Sequence, residues 1–396
     1  MSELILLVHR IPYPPDKGDK IRSFHLLKHL SERHRVHLGA FVDDPGDWQY
    51  EAALKPLCAS VHLEAIHTSI AKWRSLGGLL TGKALTLEYF RNQGMTDWVE
   101  ALLKTGLKRV IAFSSPMAQF VMKAQQVQRI MDFVDIDSDK WGQFAPTKPW
   151  PLSWLYKRES KSLLAWERRV AANFDCSLFV SAREASDFCK VAPGVSNRVH
   201  WYPNGVDSDY FSPARIYPYP YAANEEAIVF TGAMDYWPNI DGVTWFARNV
   251  FPAIRKARPK ATFYVVGSRP TKAVQALRLL DGIHVTGRVQ DVRPYLAHAS
   301  VVVAPLRIAR GVQNKVLEGM AMARTVVVST KGLDGLMVQP SAELLVADDE
   351  EQFVARTLDV LNGVDLGSAA RQRILTDYVW EACFGAMDAL LERGTI

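Results

Sequence analysis

Cysteine is scarce in this chain and dispersed. Cys58, Cys176, Cys189 and Cys383 form no CxxC pair, which excludes a disulfide-stapled fold and a cysteine-built zinc site and points to a reducing, cytoplasmic compartment. Long apolar runs are missing too. "LILLV" at 4–8 is too short for a signal peptide or a membrane helix, and no later run approaches about eighteen residues. The histidines show no metal-ligand spacing. Charge of one sign is thin. The net charge is +5, and residues 1–200 hold 27 Lys and Arg against 21 Asp and Glu, while the remainder holds 20 against 21. That surplus is too mild for nucleic acid, which asks for a denser basic stripe. At 48% hydrophobic and 22% charged the chain is not disordered, and 396 residues suggest two or three domains.

What is present is alternation. A buried-strand pattern, "ELILLVHR", is followed by the loop "IPYPPDKGDKIRS", a helical stretch "SFHLLKHLSERH" and a second strand "RVHLGAFV". Strand, loop, helix, strand opens a parallel sheet. Further strands read at "RVIAFSS" (109–115), "QRIMDFVD" (128–135) and "CSLFVSA" (176–182), and "RVHWYPNGVD" (198–207) ends the series. A Pro- and Tyr-rich loop at 210–226 marks a domain boundary. The alternation then restarts with strands at 227–232, 261–267, 283–287, 300–305 and 325–330. Residues 377–392 read as one amphipathic helix. Two such runs imply two doubly wound α/β domains.

In open α/β sheets ligands sit beyond the carboxyl ends of strands. The turn after "VVVAPLR" is such a place. A helix starting near Gln313–Lys315 presents unpaired N–H groups and the positive end of its dipole, which suits a diphosphate. Gly311 permits close backbone approach, and Glu318, about one turn inside, suits a ribose diol. Taken alone, the same pattern also fits an ordinary strand-to-helix turn with a surface Glu. "GGLLTGK" (77–83) has half of a P-loop, but Ala84 stands where Ser or Thr should hold magnesium.

The motifs "PPDKGDKIRS", "PNGVD", "FTGAMDYWPNIDGV", "VTGRVQDVRPYLAHASVVVAPLR" and "GVQNKVLEGMAMA", in this order, resemble the two-domain glycosyltransferases of the GT-B fold, in the large retaining family 4. The resemblance spans nearly the whole length and is greatest to bacterial sugar transferases of exopolysaccharide clusters. It implies two Rossmann-like domains facing across a cleft: an acceptor-side domain at 1–209, a linker at 210–226, a nucleotide-sugar domain at 227–375, and a C-terminal helix at 376–396 crossing back. It implies a nucleotide-diphosphate sugar as donor, no metal or other cofactor, and a cell-surface polysaccharide or lipid-linked glycan as acceptor. The donor residues it implies are Gly18, Asp19, Gly232, Arg288, Val289, Gly311, Val312, Gln313, Asn314, Lys315 and Glu318, while the side chains of Lys17, Lys20 and Arg22 either lie near the phosphates or belong to a solvated charged turn. No dedicated nucleophile is expected, because the leaving group is already good and positioning and charge carry the barrier reduction.

Two departures stand out. The family usually has a Glu eight residues before Glu318, where this chain has Arg310. It also usually has an Arg and a Lys after the first strand of the second domain, where "FTGAMDYWPNIDGV" has no basic residue. Arg310, with Lys315 and Arg307, is therefore expected to supply the missing charge, since an Arg fork donates two bonds at once. A non-catalytic nucleotide-sugar-binding subunit is the competing reading, and a sugar-nucleotide 2-epimerase of the same fold is another. On the acceptor side, Asp135 and Asp137 either orient the acceptor hydroxyl, with Arg310 completing the catalytic set, or form a helix N-cap cluster. Residues 140–169 mix Trp141, Trp150, Trp154 and Trp166 with seven Lys and Arg and two Glu. That composition suits peripheral contact with the inner face of a membrane, or core tryptophans beneath a solvated helix face.

Overall fold

Parallel strands covered on both faces need near-continuous apolar runs, and the start of the chain supplies one. Residues Leu4 to Val8 are fully buried, each large side chain contributing about 1.5–3 kcal/mol of burial free energy. They lie in β1 (Ser2–Val8), followed by α1 (Gly18–Ser31), β2 (His34–Val42) and β3 (Ser60–Ala65). Three short helices come next, α2 (Thr68–Ser75), α3 (Gly77–Thr81) and α4 (Leu85–Tyr89). β4 (Arg109–Phe113), β5 (Gln128–Val134), α5 (Asp137–Phe144), α6 (Leu152–Asn173), β6 (Cys176–Phe179) and β7 (Val199–Trp201) complete the series. The seven strands pair in the order β3-β2-β1-β4-β5-β6-β7, every pair parallel. This computed structural model describes residues 2–309 and 311–392.

A second parallel sheet follows: β8 (Glu226–Thr231), β9 (Ala261–Val266), β10 (Ile283–Gly287), β11 (Val301–Ala304), β12 (Val326–Val328) and β13 (Leu345–Val346), in the order β10-β9-β8-β11-β12-β13. Between them, α7 (Trp237–Trp245) follows β8 and α8 (Asn314–Ala321) follows β11. Both sheets change winding direction once, between β1 and β4 in the first and between β8 and β11 in the second. Those switch points open crevices at the strands' carboxyl ends. The chain divides into two compact units, one running to Tyr202 and resuming at Phe384, the other Pro203–Cys383. The Pro- and Tyr-rich segment packs on the second unit: Tyr221 is buried and its hydroxyl donates to the Tyr295 carbonyl.

Four elements differ from the sequence reading. β3 and β13 were not expected. β3 is an edge strand with no fully buried residue, and β13 has two residues, so neither carries a strong apolar signal. The strand expected over 198–207 is confined to Val199–Trp201. The single helix expected over 377–392 is broken. Val379 is extended and bridges Val206, while the Val206 N–H donates to the Tyr378 carbonyl at 2.7 Å. Tertiary pairing overrides helical periodicity there. The helix resumes as α9 (Gly385–Glu392), whose Asp388 accepts from His29 at 2.8 Å and Arg33 at 2.6 Å in the first unit.

Candidate functional site

The second unit's switch point is bounded by the turns after β8 and β11. Gly232 and Gly267, at the ends of β8 and β9, lie so close that a Cβ on Gly267 would stand 1.6 Å from the Gly232 carbonyl oxygen. Only glycines permit that approach. Beyond β11, Gly311 takes a left-handed φ of 67° and turns the chain into α8. Val312 is buried, and Gln313 is the N-cap residue, its side chain donating to the Gly311 carbonyl instead of capping the helix. The first N–H groups of α8 thus have no side-chain cap and carry the positive end of the helix dipole. Asn314 accepts from Asn204 at 3.2 Å.

Lys315 and Glu318 lie one turn apart on α8, both half-buried. The Lys315 ammonium donates to Asn239 Oδ1 at 3.0 Å and sits 5.3 Å from the Phe230 ring centre. Burial lowers its pKa to about 8, with Glu318 opposing the fall. Burial likewise raises Glu318 to about 7, against the pull of Lys315. Among the described residues no donor meets the Glu318 carboxylate. A cation and a carboxylate, both desolvated and, among the described residues, neither held in an ion pair, have the chemistry to meet an anion and a hydroxyl pair. Asn239, which sequence reasoning missed, holds this arrangement: its Nδ2 donates to the Ala233 carbonyl at 2.9 Å while its Oδ1 receives Lys315. No local sequence pattern marks it, because its bond to Lys315 joins residues 76 apart.

Arg307 is not a free cation. Its guanidinium forks onto Asp241 at 3.0 and 2.6 Å, which corrects the expectation that it faces a diphosphate. Arg310 lies outside the described residues. Arg288 and Val289 follow β10 on the turn at Gly287, whose φ is 74°. Arg288 is exposed and Val289 half-buried.

In the first unit the switch point is crowded with ion pairs. Asp19, in the first turn of α1, accepts from His9 at 3.2 Å and Arg10 at 2.6 Å. Burial raises its pKa, but the His9 hydrogen bond and the charges of His9 and Arg10 outweigh that and hold the carboxyl well below its usual range. A Cβ on Gly18 would meet nothing within 4 Å, so the fold does not require glycine there. The expectation that Lys20 and Arg22 face phosphates is overturned. Lys20 is buried and bound to Asp47 at 2.6 Å. Arg22 is fully buried, forks onto Asp132 at 3.2 and 3.3 Å, and lies 3.6 Å over the Tyr202 ring. A guanidinium enclosed in the interior needs a carboxylate partner, and the fully buried Asp132 of β5 provides it.

Asp135 and Asp137 stand after β5 and share Lys140, at 2.8 and 3.2 Å. Burial lowers the Lys140 pKa, but the two carboxylates outweigh it and hold the ammonium above its usual range. Neither Asp caps a helix, because Ile136 is the N-cap residue of α5. Glu167 of α6 fixes the start of α5, accepting from the Ser138 N–H at 3.0 Å and hydroxyl at 2.5 Å. Burial and then the Asp137 charge push Glu167 up to about 8. Among the described residues no cluster of His, Cys, Asp and Glu is arranged to hold a metal ion.

Residues 225–363 match the family described as Glycosyl transferases group 1. No curated protein matches the chain. Among solved structures, HepE of Anabaena, crystallised in complex with UDP, is 14% identical with a TM-score of 0.70, covering 99% of this chain and 100% of its own. Sucrose-phosphate synthase from Thermosynechococcus elongatus is 18% identical with a TM-score of 0.69, covering 99% of each chain. A glycosyltransferase from Rickettsia africae is 12% identical with a TM-score of 0.67, covering 99% of this chain and 98% of its own. The fold is thus α/β of the GT-B kind, with two parallel sheets.

Proposed function

We propose that the chain is a retaining glycosyltransferase of the family 4 type that moves a hexosyl group from a nucleotide sugar to a cell-surface polysaccharide or lipid-linked glycan in the cytoplasm. The observation that carries the reading is the second unit's switch point, where uncapped α8, Lys315 and Glu318 converge and, among the described residues, no opposite charge forms an ion pair with either side chain. A diphosphate suits the helix mouth and Lys315, and a ribose diol suits Glu318. HepE has also been crystallised with UDP-glucose, which favours uracil as the base. As the sugar–phosphate bond breaks, charge grows on the departing diphosphate, and the helix amides and Lys315 stabilise it there. Arg310 adds a second cation, and Asp135 and Asp137 orient the acceptor hydroxyl. The four free cysteines agree with a reducing compartment.

Calorimetry with UDP and GDP tests the donor half, using wild type, Arg310→Glu and Glu318→Ala. UDP is expected to bind, and each variant to lose at least tenfold, about 1.4 kcal/mol. Absence of binding by either nucleotide overturns the proposal. Mass spectrometry of UDP-glucose incubated with the enzyme separates the chemistry: transfer or slow hydrolysis supports a transferase, and conversion to an epimer refutes it.

A further inference from the structure

Most of the exposed large apolar side chains on the first unit fall in two stretches far apart in sequence. In α2 and α3 they are Ile70, Trp73 (77% exposed), Leu76, Leu79 and Leu80 (93%). At the start of α6 they are Trp150 (82%), Leu152 and Trp154. The fold joins the two. Arg158 of α6 donates to the Gly78 carbonyl of α3 at 2.6 Å, and Glu159 accepts from the N–H groups of Leu85 and Thr86 at 2.7 and 2.9 Å. Trp154 stands one turn before Arg158, on the same helix face. By contrast Trp141 and Trp166 are half-buried against Ala84, Leu87 and Leu163. They belong to the core, which narrows the surface expected over 140–169.

Charge shows what this surface fits. Residues 65–87 contain no Asp or Glu, and neither do residues 140–158, while the two stretches carry Lys72, Arg74, Lys83, Lys140, Lys148, Lys157 and Arg158. Lys72, Lys148 and Lys157 are exposed and, among the described residues, pair with no carboxylate. The α2 helix is two-faced: Ala71 and Ser75 point inward, and Ile70 and Trp73, three apart, point to solvent. A side chain exposed as fully as Leu80, at the end of a short helix, protrudes and does not line a groove. Protruding Trp and Leu amid unpaired lysines and no acids have the composition of a segment lying in a lipid interface, where the rings enter the headgroup layer and the ammonium groups meet anionic headgroups.

We infer that α2, α3 and the start of α6 form one docking surface for an anionic bilayer. Insertion is through Trp73, Leu79, Leu80, Trp150 and Trp154, and Lys72, Lys148 and Lys157 supply the electrostatic attraction. The surface is independent of the proposed transfer reaction, because its test needs neither donor nor acceptor. Flotation of the full chain with phosphatidylcholine vesicles, with and without 30% phosphatidylglycerol, measures it. At least tenfold tighter binding to the anionic vesicles is expected, lost in high salt, together with a blue shift of tryptophan emission. Trp73→Ser/Leu80→Ser is expected to lower binding at least tenfold, as is Lys72→Glu/Lys157→Glu. Circular dichroism and the melting temperature should not move, since these side chains are exposed. Equal binding to both vesicle types, or a Trp73→Ser/Leu80→Ser variant that binds like wild type, overturns the inference. So does a concentration-dependent dimer that this variant dissolves while no vesicle is bound, which would assign the face to a second copy of the chain.

Discussion

The two sheets each change winding direction once, yet their switch points are furnished in opposite ways. Around β1 and β4 three cations are already paired, Arg10 with Asp19 and Asp43, Lys20 with Asp47 and Arg22 with Asp132, while Lys17 has no ion pair among the described residues. Around β8 and β11, among the described residues, the half-buried cation Lys315 has only an amide oxygen as hydrogen-bond partner and Glu318 meets no donor. A paired charge serves the architecture, whereas a desolvated one with no ion pair has the chemistry the proposed donor site needs. The same residue types at equivalent places thus differ in role according to what the fold puts opposite them.

The strongest way to break this contrast is Asp132→Ala. It leaves the enclosed Arg22 cation without its carboxylate, and a loss of about 3–5 kcal/mol is expected in urea denaturation. Nucleotide affinity per folded molecule should not change. Lys315→Met tests the other side. It should cost at least tenfold in UDP-glucose affinity by calorimetry, about 1.4 kcal/mol, with stability kept or raised because a half-buried cation with no ion pair among the described residues is removed. Stability falling in parallel with affinity would place Lys315 among the architectural charges.

Titration sharpens the same point with a smaller effect. UDP-glucose has no phosphate titrating near neutrality, so its affinity reports the site. Lys315, near 8, loses its charge as pH rises, and Glu318, near 7, loses its acceptor character as pH falls. Affinity should peak between about pH 7 and 8, with Lys315→Arg extending the alkaline limb and Glu318→Gln flattening the acid one. The smallest stability change is expected for Asp135→Asn. Its ion pair with Lys140 is partly exposed, so the cost is under about 1 kcal/mol. Turnover with unchanged donor affinity should fall if Asp135 orients the acceptor.

Much of the proposed donor site was legible because its determinants are local. A strand, a Gly turn and a helix opening at Asn314 occupy one short stretch, and helical spacing alone sets Lys315 beside Glu318. Asn239 was not legible, since its bond to Lys315 joins residues 76 apart. Lys20 and Arg22 were misread for the same reason: Asp47 and Asp132 lie 27 and 110 residues away. Nor does any local pattern reveal that Trp73 and Trp154 belong to adjoining elements.

The sequence by itself determined the α/β alternation, because buried parallel strands demand apolar runs and helices demand their own period. It also determined the α8 helix mouth, where local geometry and a single glycine suffice. Only the tertiary structure decided the order of the strands, and with it where the switch points fall. It alone decided which charges are neutralised, because desolvation and pairing depend on what long-range packing brings within a few ångströms.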